Sequence, residues 1–192
     1  FCMDKFLDDH ELMAQEPDPK ALHHAYTLLS TNLESGLAEL EALADRGSVM
    51  ALLYLANQCK MSGKESYSDA QKWYRLAYEK MSATALIDLA LIYCDEKDYE
   101  EAETILKNGV SKDDGPSMFW LANLYLAEPC YIAKKNEAKI LLEKSNAMGH
   151  LRSKHHLALL LRRERNNITT IIRGIILYLQ AVVQGFRVAY RD

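Results

Sequence analysis

A repeat of between 32 and 36 residues limits what this chain can fold into more than any other feature. Ala51-x3-Leu55-Ala56-x2-Cys59 returns as Ala85-x3-Leu89-Ala90-x2-Tyr93, then as Ser117-x3-Leu121-Ala122-x2-Tyr125, then as Ser153-x3-Leu157-Ala158-x2-Leu161. The starts are 34, 32 and 36 residues apart. A fixed period of this length marks stacked supersecondary units, none of which buries its apolar face alone.

A second pattern runs out of phase with the first: Ala70-x2-Trp73-Tyr74-x2-Ala77, Ala102-x2-Ile105-Leu106-x2-Gly109, Ala138-x2-Leu141-Leu142-x2-Ser145 and Gly174-x2-Leu177-Tyr178-x2-Ala181. Both patterns set small and large apolar residues three and four apart, the signature of one face of an α-helix. Each unit is therefore two helices. The small residues admit a close neighbour and the leucines fill the grooves beside them. Trp73 and Tyr74 occupy repeated packing positions and are expected in the core.

Punctuation follows the same period. Gly47, Gly149 and Gly185 each lie four residues before a repeat start, where a left-handed residue ends a helix. Asp114-Gly115-Pro116 interrupts the chain before the third start, with Pro116 suited to a first helical turn. Ser68-Asp69 is the expected cap of the second helix in its unit, and Arg162 to Thr170 reads as a turn. Upstream, Asp18-Pro19 opens a further helix whose companion runs roughly from Gly36 to Ala44. The expected fold is all-α: a right-handed α-solenoid of about five antiparallel helix pairs in one domain, residues 18–192. Its repeats fall near 18–47, 48–81, 82–113, 114–149 and 150–185, a further one starts at 186–192, and residues 1–17 form a segment that could be helical.

Composition removes several functional classes. With 23 basic and 27 acidic residues, no global basic excess advertises nucleic acid or an anionic membrane. The charge is unevenly placed: residues 1–49 carry 3 basic and 10 acidic side chains, residues 150–192 carry 8 and 2. The longest apolar stretch, near Ile175 to Val183, is about half of what a membrane span needs. The start at Phe1 instead of Met points to a removed leader or a fragment, and the register, carried on to Ala189, predicts a longer array. Cys2, Cys59, Cys94 and Cys130 contain no CxxC pair and read as free, mostly buried thiols. His23-His24 and His155-His156 are adjacent residues, which point about 100° apart on a helix and make poor metal pairs. No Gly-rich phosphate loop, HExxH, GxSxG or SxxK occurs. No catalysis, cofactor or metal is expected.

At Leu43-Ala44-Asp45-Arg46-Gly47, at Ala70-Gln71-Lys72-Trp73-Tyr74-Arg75-Leu76-Ala77 and at Gly149-His150 before Ser153, the chain resembles the Sel-one-like repeat family, a relative of the tetratricopeptide repeat. The resemblance covers about residues 36 to 189. The unit around Cys94 to Tyr99, with its short loop and with Met81 where others carry Gly, is closer to an ordinary tetratricopeptide repeat. The resemblance implies an adaptor, commonly one that assembles protein complexes or serves envelope and secretion processes in bacteria. It implies no reaction.

By the tetratricopeptide resemblance, the first helix of each pair lines a concave groove. The implied inner positions are Leu53, Asn57 and Lys60; Ile87, Leu91 and Asp95; Phe119, Asn123 and Leu126; and His155, Leu159, Arg162 and Arg163. Phe119, Ile87 and Leu91 would be either exposed apolar surface for a partner or side chains that a tight superhelix covers itself. An Asn at 57 and 123 is suited to hydrogen-bonding an extended peptide backbone. Arg152, Lys154, Arg162, Arg163, Arg165 and Arg173 form a basic end, either simply solvated or facing an anionic partner or the acidic end of another copy. The expected activity is holding a protein or peptide segment. The alternatives are self-assembly through the opposed end charges and, less favoured, RNA binding by helical repeats.

Overall fold

The computed structural model describes residues 5–164 and 168–189. Among them are eleven α-helices and no strand: α1 (Asp9–Ala14), α2 (Pro19–Thr31), α3 (Leu33–Asp45), α4 (Val49–Met61), α5 (Tyr67–Glu79), α6 (Ala83–Asp95), α7 (Tyr99–Ser111), α8 (Gly115–Ala127), α9 (Lys135–Ala147), α10 (Leu151–Glu164) and α11 (Ile168–Ala189). Each helix from α2 to α9 is 13 residues long, about 20 Å. The chain forms two compact units, 1–105 and 106–192, divided within α7.

The junction before each of α4, α6, α8 and α10 is built the same way. The backbone N–H groups of Ser48, Ser82, Asp114 and His150 donate to the carbonyls of Leu43, Ala77, Gly109 and Ser145, which closes the preceding helix. The residue just before each takes positive φ: Gly47, Met81, Asp113 and Gly149. The side chains of Ser48, Ser82 and Asp114 then accept from the N–H of Ala51, Ala85 and Ser117 and open the next helix. One residue thus ends one helix and starts another, and the repeat starts seen in the sequence lie three residues after it. Asp18 opens α2 in the same manner, accepting from Ala21 N–H at 3.0 Å with Pro19 in the first turn.

Two expected boundaries are corrected. α5 begins at Tyr67 out of a 3₁₀ turn, Lys64–Ser66, so Ser68 and Asp69 lie inside the helix instead of capping it. Gly185 does not end a helix, because α11 runs through it to Ala189. After Gly47, Met81 and Asp113 the next residue is Ser or Asp and restarts a helix, whereas Gly185 is followed by Phe186, which cannot cap. A glycine only permits a helix to stop. The polar link after α10 is partly placed: Glu164 ends α10, Ile168 opens α11, and residues 165–167 lie outside the described ones.

In the first unit the N-terminal segment docks on the α5–α6 junction. The Leu7 N–H donates to the Met81 carbonyl at 2.7 Å and the Leu7 carbonyl accepts from the Ala83 N–H at 2.8 Å, while Phe6 stacks on Tyr78. The unit's core is the small-and-large set read from the repeat, with Ala51, Ala56, Ala70, Ala77, Ala85 and Leu89 all fully buried. Tyr74 is buried with them; Trp73, expected beside it, is only half-buried. The described cysteines are less buried than expected: Cys59 and Cys94 are half-buried and Cys130 is exposed in the 3₁₀ segment Pro129–Lys134 between α8 and α9, while Cys2 lies outside the described residues.

In the second unit a chain of hydrogen bonds joins three helices. Ser145 Oγ donates to the Gly115 carbonyl at 2.7 Å and Ser153 Oγ donates to Ser145 Oγ at 2.6 Å. Each hydroxyl has one proton, so His150 Nδ1, 2.8 Å from Ser153 Oγ, carries its own hydrogen and donates. One period earlier the counterpart of Ser153 is Ser117, and the counterpart of Ser145 is Gly109, which offers no hydroxyl. The Ser117 hydroxyl is buried without a partner. Opposite effects are expected from two similar substitutions: Ser145→Ala should lower stability by about 2 kcal/mol and Ser117→Ala should raise it by about 1 kcal/mol. Urea unfolding of both variants checks this, and a shift of the same sign in both would refute it.

Candidate functional site

The inner positions named by the sequence behave differently in the two units. On α4 and α6 they are largely engaged within the protein. Leu53 is buried, Asn57 Oδ1 accepts from the Tyr74 hydroxyl at 2.7 Å, and Lys60 Nζ pairs with Asp88 at 2.7 Å. Asp95 accepts from the Tyr67 hydroxyl at 3.0 Å, and Ile87 and Leu91 are half-buried. Peptide clamping by Asn57 would therefore compete with a hydrogen bond already made.

In the second unit the inner residues of α8 and α10 line two adjoining cavities. The larger, about 690 Å³, is bounded by Phe119, Trp120 and Asn123 of α8, by Leu151, Arg152, His155 and His156 of α10, and by Ala181 and Val182 of α11. The smaller, about 600 Å³, is bounded by Asn123, Leu126 and Ala127, by Lys135 and Asn136 of α9, and by His156, Leu159 and Leu160. Asn123 and His156 belong to both, so the two form one groove. Its walls are apolar and aromatic, with Arg152 and Lys135 on opposite cavities.

Of the residues read from the sequence, this groove collects Phe119, Asn123, Leu126, His155, Leu159 and Arg152. Phe119 is not exposed as one reading had it: at 3% exposure it lies beneath the rings of Trp120, His150 and His156, with centroids 4.9 to 5.3 Å away. Its edge forms the floor while Trp120 and Leu159 remain reachable. Asn123 Nδ2 donates to the Phe119 carbonyl of its own helix at 3.0 Å. Trp120 and His156, which bear most on the walls, do not fall on the repeated inner register. The signal that could have found them is the pairing of Phe119-Trp120 with His155-His156 at the same two positions of successive repeats, where the earlier repeats carry Leu53-Tyr54 and Ile87-Asp88.

The basic end is only partly assembled. Arg152 is exposed, Lys154 is half-buried, and Arg173 reaches Glu143 at 3.4 Å. Arg165 lies outside the described residues, as do the side chains of Arg162 and Arg163.

Burial lowers the pKa of both His150 and His156; Arg152 adds to this at each, and His155 precedes it at His156. A histidine whose folded pKa is depressed is neutral in the native state while the unfolded chain takes up protons near the ordinary value of about 6.5. Stability is then present above that value and falls as the pH drops through it toward the folded pKa. The thermal midpoint is expected to decrease between pH 7.5 and 5, and His156→Gln should flatten that slope; an unchanged slope in the variant would remove His156 from the account.

No protein-family profile matches the chain and no curated protein matches it. Among the solved structures that match the chain, two do so across 90% of its length at 15% identity. One is a Sel1 repeat protein from Oxalobacter formigenes, with a TM-score of 0.70 and 75% of that chain covered. The other is a protective antigen present in uropathogenic Escherichia coli strains and displaying an SLR fold, with a TM-score of 0.65. This chain spans 39% of that antigen's length. The chain has the Sel1-like repeat fold, an all-helical array whose helices pack in sequence within each unit.

Proposed function

We propose that this chain is a non-catalytic scaffold that holds a segment of a partner protein in the groove between α8 and α10. The observation that carries the proposal is the pair of adjoining cavities, about 690 and 600 Å³, walled by Trp120, Leu126, His156 and Leu159. Cavities of that size each accept one or two large side chains. The partner that fits is an extended or helical stretch with two apolar anchors, and acidic residues near them would meet Arg152 and Lys135. The fold supports the class of activity, since helical repeats offer long surfaces and no reaction centre, while the groove residues supply specificity. A place in a larger bacterial complex of the envelope, of secretion or of regulation is consistent with this reading.

The groove is tested with peptides selected on the wild-type chain from a display library and measured by calorimetry. Trp120→Glu and Leu159→Glu, at half-buried and exposed positions, should each weaken binding at least tenfold with helicity unchanged, as hot-spot anchors do. Lys72→Glu, on the exposed surface of α5 in the first unit, should leave it intact. Phe119→Glu is not a usable probe, because a charge at that buried position would unfold the unit. Affinity unaffected by both groove substitutions would overturn the proposal, and selected RNA binding instead with a steep salt dependence would replace it.

A further inference from the structure

α11 is 22 residues long against 13 for α9, and it is apolar on two faces. One faces inward: Gly174 is buried and Leu177, Tyr178 and Ala181 are half-buried, with Tyr178 packed on His155 at 5.5 Å. The other faces out. Ile172, Ile175, Ile176, Leu179, Val182 and Val183 are between 36% and 57% exposed. At 100° per residue they form one continuous stripe about 120° wide. The stripe contains no charge, and Arg173 lies off it, engaged with Glu143.

A contiguous apolar stripe on this scale is surface that something covers. A following helix pair would not cover all of it. The counterparts of Ile172, Ile176 and Val183 are Ser68, Lys72 and Glu79 in α5 and Asn136, Ile140 and Ala147 in α9. All six are exposed, although α6 packs on α5 and α10 packs on α9. Stacking another repeat therefore reaches one edge of the stripe and leaves these three positions in water. A helix lying along α11 covers them all.

We infer that the occupant is the α11 of a second copy, running antiparallel about a two-fold axis through Leu179. The stripe is its own image about that residue: Ile176 and Val182 lie three residues to either side, and Ile175 and Val183 lie four. In an isologous pair Leu179 meets Leu179, Ile176 meets Val182 and Ile175 meets Val183, with Ile172 at each outer end. The six exposed side chains offer on the order of 500 Å² of apolar surface per copy, so a pair buries about 1,000 Å², the lower limit of a specific dimer. The absence of charge removes the repulsion that two identical helices would otherwise meet. Only Val182 is shared with the groove, so dimerisation and segment binding use largely separate surfaces.

Sedimentation velocity up to the high micromolar range tests this. The wild-type chain should dimerise, and Leu179→Glu should weaken the dimer roughly a hundredfold while leaving helicity unchanged, since Leu179 is the central contact and is 57% exposed in one copy. A short bismaleimide provides a second measurement on chains whose native cysteines are replaced by serine. Leu179→Cys should cross-link to its own image, whereas Ile172→Cys, about 21 Å from its image along the pair, should not. A monomer at every concentration, a dimer indifferent to Leu179→Glu, or equal cross-linking at both positions would each overturn the inference. So would a monomer that sediments with phosphatidylglycerol vesicles, which would assign the stripe to a lipid surface.

Discussion

Replacing Tyr74 by alanine should cost the first unit about 4 kcal/mol, at the level of the largest single-residue losses in protein cores. Its ring is fully buried at a repeated packing position of α5, among Ala70, Ala77 and the leucines of α4. The hydroxyl donates to Asn57 Oδ1 at 2.7 Å, and burial, followed by the nearby Asp88 charge, pushes its pKa well above the ordinary tyrosine value. Two losses combine in the alanine variant: a cavity the size of the ring, and an Asn57 acceptor left without its donor. Tyr74→Phe separates them, since only the hydrogen bond is removed, and should cost about 1 kcal/mol. Urea titration of the three chains gives both values from shifts in midpoint. A loss below the phenylalanine variant's would mean that the site collapses around the missing ring. A repeat array responds locally, so the transition is expected to broaden as the first unit separates from the second.

The same residue shows what could be read from the sequence. That Tyr74 is core follows from its recurrence with Ile105-Leu106, Leu141-Leu142 and Leu177-Tyr178. That its hydroxyl occupies Asn57 does not, because the two are 17 residues apart and nothing local aims one at the other. Lys60 and Asp88 repeat the lesson across 28 residues. Periodicity reports which face of a helix packs, so the helix pairs and the helix starts at Asp18-Pro19 and Asp114-Gly115-Pro116 were legible. It does not report which inner residues are already engaged. Phe119 and Trp120 are neighbours about 100° apart, and their different exposure is decided by His150 and His156 on another element. For the same reason Gly185 misled: glycine marks where a helix is free to stop, and the stop needs the capping residue after it.

Gly36→Ala should destabilise the first unit by about 2 kcal/mol, although helix propensity alone predicts a gain of about 1 kcal/mol. Gly36 sits inside α3 at the position where α5, α7 and α9 carry Ala70, Ala102 and Ala138, and it is buried. A Cβ built there would lie 2.8 Å from the backbone nitrogen of Leu29 and 3.1 Å from the backbone carbon of Leu28. These are main-chain atoms of α2's last turns, so no rotamer change relieves the contact and the two helices must separate. Separation loosens the buried Leu22, Ala25 and Leu40 that the close approach packs together. Ser35→Ala, one residue away and exposed, supplies the comparison: it carries the propensity gain without the clash and should shift the midpoint by no more than about 0.5 kcal/mol in either direction. If Gly36→Ala were neutral or stabilising, α2 and α3 would be free to move apart at no cost, and the close approach at Gly36 could not be what packs Leu22, Ala25 and Leu40.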